Sequence, residues 1–422
     1  MFGLTRLPPW FDSVFARFES VFSDSRNVDS FTALVSALIL AETQWTVSEL
    51  TRGISRSDAK SARAYRYFLS GADWSATTLA QQAAAFVFDQ LDVGAGDDIL
   101  LHIDDTFVPK TGDATDGVAR LYNPTTGKKE LGNKFVTSCL QVNDTYWPYL
   151  ARMYISEDLA PKFEQPFKKK TEIAVEEIVT PLQLPVGAAL TVVFDSAYYG
   201  GKRVAAIQEQ GYDVVCRYKS SNHVSPLGEV WSQRVDAFAS TLEYELTSIT
   251  VRGREKTYHV ASETVEIQGV GPVKIVASKT DDGTTRYYLS TDLGRSPAEI
   301  LELVEDRWNI ETAHEESNQK FGFKQYQIES KQAIERYIQL VFLAWTLVTV
   351  SEQADVAFWD DGGKLSIRLD HAKEAYLVET VLDINEEIDP SLPRAERRAR
   401  MSELVSELSW SSVAKNFITV LK

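Results

Sequence analysis

Apolar residues recur at intervals of three and four along the first 95 residues of the chain. The pattern is clearest over residues 31–40 and again over residues 79–91. This spacing places apolar side chains on one face of a helix. The strict alternation of apolar and polar residues that is typical of a half-buried strand is not evident here. The pattern therefore predicts a helical region over residues 1–95.

The pattern changes at about residue 96, where runs of β-branched residues alternate with helical segments. Such alternation is typical of a mixed or parallel sheet covered by helices. The sequence predicts an α/β fold in this part of the chain. Strands are expected at residues 99–103, 134–142, 146–154, 190–194 and 212–218, and helices at residues 163–180 and 201–210.

A further change follows at residues 220–288, where short strand patterns are separated by glycine and aspartate turns. We interpret this segment as a β-rich insertion. It divides the sheet domain into a first part at residues 96–219 and a second part at residues 289–350. Residues 351–422 are predicted to form a helical C-terminal region.

The charge and the cysteines limit the class of protein. The chain has 422 residues, with 60 acidic and 44 basic side chains, and its formal net charge of −16 by itself argues against a partner as anionic as DNA. Basic residues clustered on one face, or a host with a salty cytoplasm, would remove the conflict. Cys139 and Cys216 each lie within an apolar segment, so neither a disulfide framework nor a cysteine-ligated zinc site is expected. This favours a reducing, cytoplasmic compartment.

No membrane association is expected. The N-terminus lacks the basic segment and the long apolar core of a signal peptide. The longest apolar stretch, at about residues 338–347, is too short to span a bilayer and contains polar residues. We expect a buried helix there.

Three acidic residues stand at positions that suggest a divalent-metal site. Asp104 and Asp195 each follow an apolar strand pattern, and Glu311 shares a helix face with Arg307 four residues earlier. Magnesium is usually held by one or two carboxylates, and a pair of ions can serve both oxygens of a phosphodiester displacement. Taken singly, Asp104 is better explained by a turn at the end of a strand, Asp195 is equally explained by a helix N-cap, and Glu311 could be the surface partner of Arg307.

The order and surroundings of these residues resemble those of the DDE transposases of cut-and-paste insertion sequences, in particular the IS-four type with its Tyr-Arg-Glu-Lys signature. The resemblance covers about residues 95–350. It rests on the two strands that lead into aspartate, on the β-rich insertion, and on the segment from Arg307 through Trp308 to Glu311, followed by Lys320.

The chain departs from this signature at two positions. Val304 occupies the place of the tyrosine. The lysine, Lys320, lies nine residues after Glu311 rather than seven, and Asn318 stands at the seventh position.

The resemblance implies a ribonuclease-H-like core in which Asp104, Asp195 and Glu311 are the catalytic and metal-binding residues. It implies Mg²⁺ as the cofactor, with Mn²⁺ as a substitute, and double-stranded DNA as the partner. The expected protein is a transposase that binds terminal inverted repeats, cleaves the transposon ends and joins them to target DNA. It would work as a homodimer on DNA, in the cytoplasm and associated with the nucleoid.

The same resemblance suggests roles for neighbouring residues. Trp308 matches the position of a wedge that enters the base stack when a hairpin forms at a transposon end, although a tryptophan here could equally anchor its helix in the core. Arg307 and Lys320 would hold phosphates beside the distortion. His314 shares the face of Glu311, but hard Mg²⁺ favours oxygen ligands, so we do not expect it to bind metal.

Basic clusters elsewhere are candidate contacts to the DNA backbone. Lys60, Arg63 and Arg66 belong to a predicted basic helix at residues 55–67, for which a solvated helix face is an equally good explanation. Further clusters occur at residues 128–134, 168–170, 202–203 and 252–256.

Three other functions are alternatives for a chain with these features. A ribonuclease-H-like, structure-specific nuclease would keep the fold but lack strand transfer. A domesticated DNA-binding protein that no longer cuts would have no reason to keep three carboxylates in register. A carbohydrate hydrolase is disfavoured because carboxylates framed by Arg307 and Lys320 suit phosphate better than a neutral sugar.

Overall fold

The structure is a computed structural model that describes residues 9–42, 45–53, 60–251, 254–280, 283–350 and 365–406. In these ranges the helices are α1 (Pro9–Ala16), α2 (Ser25–Leu40), α3 (Val47–Gly53), α4 (Ala62–Ser70), α5 (Ala76–Gln90), α6 (Lys170–Ile173), α7 (Gly201–Gln208), α8 (Val235–Ala239), α9 (Pro297–Asp306), α10 (Trp308–Phe321), α11 (Lys331–Val350), α12 (Leu365–Glu387) and α13 (Arg394–Ser406). The strands are β1 (Asp98–Pro109), β2 (Ala119–Asn123), β3 (Lys128–Val142), β4 (Thr145–Tyr154), β5 (Ala189–Phe194), β6 (Asp213–Tyr218), β7 (His223–Pro226), β8 (Gln233–Arg234), β9 (Glu245–Val251), β10 (Arg254–Ile267), β11 (Gly271–Lys279) and β12 (Thr285–Ser290).

The centre of the molecule is a five-stranded mixed sheet in the order β4-β3-β1-β5-β6. Strands β4, β3 and β1 pair antiparallel, whereas β5 runs parallel to β1 and β6 runs parallel to β5. An antiparallel meander followed by parallel strands is the ribonuclease-H-like arrangement. The predicted α/β fold class is confirmed.

Every strand expected in this core is present, but β1 is longer than its apolar run. The chain continues in the strand through Asp104 and Asp105 to Pro109, because β3 offers it antiparallel partners as far as Gly132. The expectation that this strand ends at Asp104 was therefore wrong. Strand β5 does end at Phe194, immediately before Asp195.

The helix expected at residues 163–180 is shorter. Residues 164–169 are not helical, and a short α6 begins at Lys170 and continues as a π-helix over Ala174–Val179. Pro166 lies in the non-helical stretch, and its ring cannot donate the backbone hydrogen bond that a helix interior needs.

The β-rich segment continues the central sheet. Strand β12 pairs antiparallel with β6, and β11, β10 and β7 follow in order, so that the described strands form one sheet of 12. Helix α9 covers one face of this extension, where Ile300 and Leu301 pack on Val193, Val215 and Tyr288.

Helix α11 runs through the main core. It has 20 residues, and among the described helices it is the one that is long and apolar enough to cross a membrane, yet 89% of its apolar window is buried inside the protein. The expectation of a buried helix is confirmed. It packs on β4 and on helices α2, α4 and α5 of the N-terminal region, where the described elements are all helical.

Candidate active site

Asp104 lies on β1, and Asp195 follows immediately after β5, the parallel neighbour of β1. Ile103 of β1 and Phe194 of β5 are paired in register. Asp104 is the residue after Ile103, and Asp195 is the residue after Phe194. The register of β1 and β5 therefore places these two positions at neighbouring points of the sheet, although they are far apart in sequence.

Glu311 reaches the same region from the first turn of α10. Arg307, at the junction of α9 and α10, donates from Nη1 to Asp104 Oδ2 at 2.8 Å and from Nη2 to Glu311 Oε1 at 3.1 Å. One guanidinium therefore bridges two of the three predicted carboxylates.

Ionisation of the Asp104 carboxyl group is unfavourable in its buried position. Burial raises the pKa of its carboxyl group, and Asp105 and Glu311 add to this, while Arg307 and the backbone N–H of Asp105 oppose it. That N–H donates to Asp104 Oδ1 at 2.7 Å. Within the described ranges, no three acidic, histidine or cysteine side chains are grouped closely enough to hold a metal ion. The ligand chemistry suits Mg²⁺, but Arg307 holds two of the carboxylates in this arrangement.

A buried polar network fixes α10 on the sheet. The Oε1 atom of Gln141, on β3, accepts a hydrogen bond from Asn309 Nδ2 at 2.9 Å. The same oxygen is hydrogen-bonded to His102 Nε2 at 2.8 Å. Its Nε2 donates to Asp306 Oδ2 at 3.1 Å. Sequence reasoning missed Gln141, and its one signal is a glutamine within an apolar strand.

His314 takes part in this anchoring. Its Nε2 lies 2.6 Å from Thr137 Oγ1, which donates to the carbonyl oxygen of Asp104 at 3.2 Å. Burial lowers the pKa of His314 to about 3, so the ring is neutral near pH 7. His314 thus contacts, through Thr137, the strand that carries Asp104.

A cavity of about 790 Å³ opens beside Asp195 and Arg307. Four further cations line it: Arg217, Arg254, Lys256 and Arg286. Arg217 and Arg286 were missed from the sequence. Each is the one exposed residue of a strand that is otherwise buried or partly buried, β6 for Arg217 and β12 for Arg286.

Trp308 lines the same cavity and is 51% exposed. A side chain this accessible does not anchor its helix in the core. Val304, at the position of the signature tyrosine, also lines the cavity.

Lys320 and Lys324 differ in their placement. Lys320 lies in the last turn of α10, nine residues after Glu311 and hence on roughly the opposite side of the helix. Its positive charge there acts to lower the pKa values of Glu316 and Lys373. Lys324, beyond the helix, acts electrostatically on His314, and burial lowers the pKa of its ammonium group.

Several of the basic clusters expected to contact DNA are engaged within the protein. Lys60 donates to Ser30 Oγ at 2.9 Å and lies 3.6 Å from Asp29. Arg66 donates to Ser48 Oγ at 2.6 Å. Arg63, by contrast, is exposed on α4. Ion pairs join Lys168 to Glu176 and Glu177, Lys170 to Asp105, and Arg203 to Glu172. Lys128, Lys129 and Lys202 are exposed, and Arg252 lies outside the described residues.

Comparison with known proteins gives two family matches and a distant structural match. The family model described as "DDE superfamily endonuclease" matches residues 17–235, about half of the chain, and the model described as "Transposase DDE domain" matches residues 174–347. Among solved structures, a piggyBac transposase synaptic complex with hairpin DNA aligns with a TM-score of 0.43 and 13% identity, over 95% of this chain and 82% of that chain. No curated protein matches. The chain belongs to the DDE superfamily of endonucleases and transposases.

Proposed function

We propose that this protein is a transposase that binds the terminal inverted repeats of its element, cleaves the ends by Mg²⁺-dependent phosphodiester chemistry and joins them to target DNA. The observation that carries the proposal is the register of β1 and β5, which places Asp104 and Asp195 directly after a pair of residues in register, with Glu311 linked to Asp104 through Arg307. The match to the transposase domain over residues 174–347, which include Asp195 and Glu311, supports the same reaction.

Asp104, Asp195 and Glu311 are the proposed catalytic residues and the proposed metal ligands. Carboxylate oxygens are the donors that Mg²⁺ prefers, and Mn²⁺ accepts the same set. Bound metal supplies activation of the attacking oxygen and stabilisation of the leaving oxygen. The polar network through Gln141 keeps Glu311 in place against Asp104, and the resulting geometry favours a rigid site.

The cation-lined cavity supports double-stranded DNA as the partner. Arg217, Arg254 and Arg286 supply a local positive surface next to Asp195 in a protein of net charge −16, whereas Lys256 is paired with Glu305 of the same cavity. Phosphate contacts of this kind hold a duplex in register without reading its sequence. The local field, rather than the total charge, governs the approach of DNA to the site.

Neighbouring residues are assigned from their position. Trp308 is the proposed wedge, because its exposed indole borders the cavity. Arg307 is proposed to hold phosphates at the site. Lys320 is proposed to hold a phosphate on the other side of α10, and Lys324 is a second candidate for the signature lysine because it lies on the side of His314. We further propose contacts from the N-terminal helices through Lys60, Arg63 and Arg66, a homodimer on DNA, and a nucleoid-associated cytoplasmic location.

Replacement of Asp195 by alanine tests the proposal. Asp195→Ala should abolish cleavage of supercoiled donor DNA in Mg²⁺ while DNA binding changes little, because the substitution removes a metal ligand and also removes repulsion of phosphate. Asp158→Ala, which changes an exposed aspartate that does not line the cavity, is the matched control. Cleavage by Asp195→Ala at the wild-type rate would contradict the proposal, and wild-type cleavage without end joining would indicate a structure-specific nuclease.

A further inference from the structure

Arg307 occupies the space between two proposed metal ligands. Its two terminal nitrogens each bond one carboxylate, Asp104 at 2.8 Å and Glu311 at 3.1 Å, and its side chain is 21% exposed. Both oxygens of Asp104 are engaged, one by Arg307 and the other by the backbone N–H of Asp105. A cation can bind this pair only in competition with the guanidinium.

The cavity around Arg307 could hold a DNA phosphate, which would be an alternative partner to the two carboxylates. It lines the cavity that also contains Arg217, Arg254, Lys256 and Arg286. A DNA phosphate held by these cations would lie within the same cavity as the guanidinium, and Arg binds phosphate with the same paired geometry that it uses for carboxylates. Arg307 also lies at the junction between α9 and α10, outside the regular part of both helices.

We infer that Arg307 is an internal counter-cation, which holds Asp104 and Glu311 together in the DNA-free protein and transfers to a DNA phosphate when the substrate binds. This inference rests on the proposed function. The transfer frees two carboxylates for metal, so DNA and metal bind cooperatively and each raises the affinity of the protein for the other. The DNA-free protein consequently binds metal weakly. It does not cleave DNA until a DNA end is bound in the site.

Mn²⁺ binding to the DNA-free protein, measured by electron paramagnetic resonance, tests this inference without relying on activity. Arg307→Gln should bind Mn²⁺ about tenfold more tightly than the wild type, because it removes both the competing cation and its repulsion of the metal. Arg217→Gln is the matched control. It removes the same charge from the same cavity, with no bond to Asp104 or Glu311, and should change the affinity by less than about twofold.

Arg307→Lys provides a second arm if Arg307→Gln does not fold. A single ammonium group cannot span both carboxylates as the planar guanidinium does, so this variant should bind Mn²⁺ with an affinity between those of the wild type and Arg307→Gln. Affinities for Arg307→Gln and Arg307→Lys equal to that of the wild type would overturn the inference.

A third variant separates failure of this inference from failure of the proposed function. Asp104→Asn should weaken Mn²⁺ binding in the Arg307→Gln background. If Asp104→Asn weakens binding but Arg307→Gln does not strengthen it, the metal site stands and the counter-cation role is refuted. If Asp104→Asn has no effect on binding, the proposed metal site itself is wrong.

Discussion

Trp308 is the residue whose role depends most directly on its exposure. Because its side chain is 51% exposed, Trp308→Ala should lower the melting temperature little. It should impair hairpin formation or second-strand processing far more than first-strand nicking, since a wedge acts only once the DNA end is bent. The measurement is the melting temperature together with the rates of the two cleavage steps.

Trp147 is the control for Trp308, since it is 1% exposed and lies in the main core. Trp147→Ala should cost roughly 3–5 kcal/mol of stability and depress both cleavage steps together. If Trp308→Ala behaves like Trp147→Ala, the wedge role is excluded.

His102 makes the stability of the protein depend on pH. Burial lowers the pKa of this fully buried ring to about 4, against the opposing bond to Gln141, whereas a histidine in the unfolded chain titrates near 6.5. The contribution of the neutral ring is fully present above about pH 6.5 and is lost as the pH falls towards 4, because the unfolded state then binds one more proton.

Between pH 6.5 and 4, the free energy of unfolding should fall by about 1.4 kcal/mol for each unit by which the pH is lowered, because of His102. The test is denaturant unfolding between pH 4 and 6.5 for the wild type and for His102→Asn, which lacks the titrating ring. Parallel pH profiles for the two proteins would show that the ring is not buried in its neutral form.

The sequence predicted some residues of the candidate site and missed others for a physical reason. Asp104, Asp195 and Glu311 follow local patterns, a strand or a helix turn, that can be recognised in one segment. Gln141 and Arg217 become relevant only through partners that lie far away in the chain, such as Asn309 for Gln141. No local pattern marks such residues.

At the scale of elements, the attachment of α10 to the sheet depends on Gln141. Gln141→Leu would leave Asn309, Asp306 and His102 without this partner, and an unsatisfied buried polar group costs about 1–3 kcal/mol. We expect a loss of stability in this range and a larger loss of cleavage than of DNA binding, because Glu311 is on the helix that shifts.

The matched control is Gln319→Leu, an exposed position on the same helix that bonds Glu315. It should alter stability by less than about 0.5 kcal/mol and leave cleavage unchanged. Equal effects of the two substitutions, measured by denaturant unfolding and by donor cleavage, would rule out an anchoring role for Gln141.

Element boundaries were predicted well where a single segment determines them. Strand β5 ends where its apolar run ends, and α7 begins at Gly201 as expected. Strand β1 continues five residues beyond Asp104 because its partner β3 is long, and this information lies elsewhere in the chain. The pairing of β12 with β6, which makes the insertion part of the central sheet, is non-local in the same way.

At the scale of the whole molecule, the uneven distribution of charge predicts the salt dependence of DNA binding. The Arg217→Gln, Arg286→Gln double variant should reduce the slope of log affinity against log salt by about 0.9 for each duplex phosphate that the protein no longer neutralises. Lys168→Gln is the control, since Lys168 pairs with Glu176 and Glu177.

Fluorescence anisotropy with a labelled duplex over a series of salt concentrations gives the slopes. An unchanged slope for the double variant would place the phosphate contacts elsewhere on the protein. The net charge of −16 could be read from the sequence, but the concentration of cations at one cavity could not, because residues from several separate strands and from α9 form its wall.

The N-terminal helices and the catalytic sheet share one core, which affects how the protein can be re-engineered. Arg336 of α11 donates to the carbonyl oxygen of Leu69 at 3.0 Å, and Tyr337 donates to that of Trp45 at 2.7 Å. A chimaera that exchanged residues 1–95 for those of a relative would have to match the surface of α11 as well as the DNA. If the proposed DNA contacts hold, retargeting this protein calls for substitutions on exposed faces, such as that of Arg63, rather than for exchange of the whole N-terminal region.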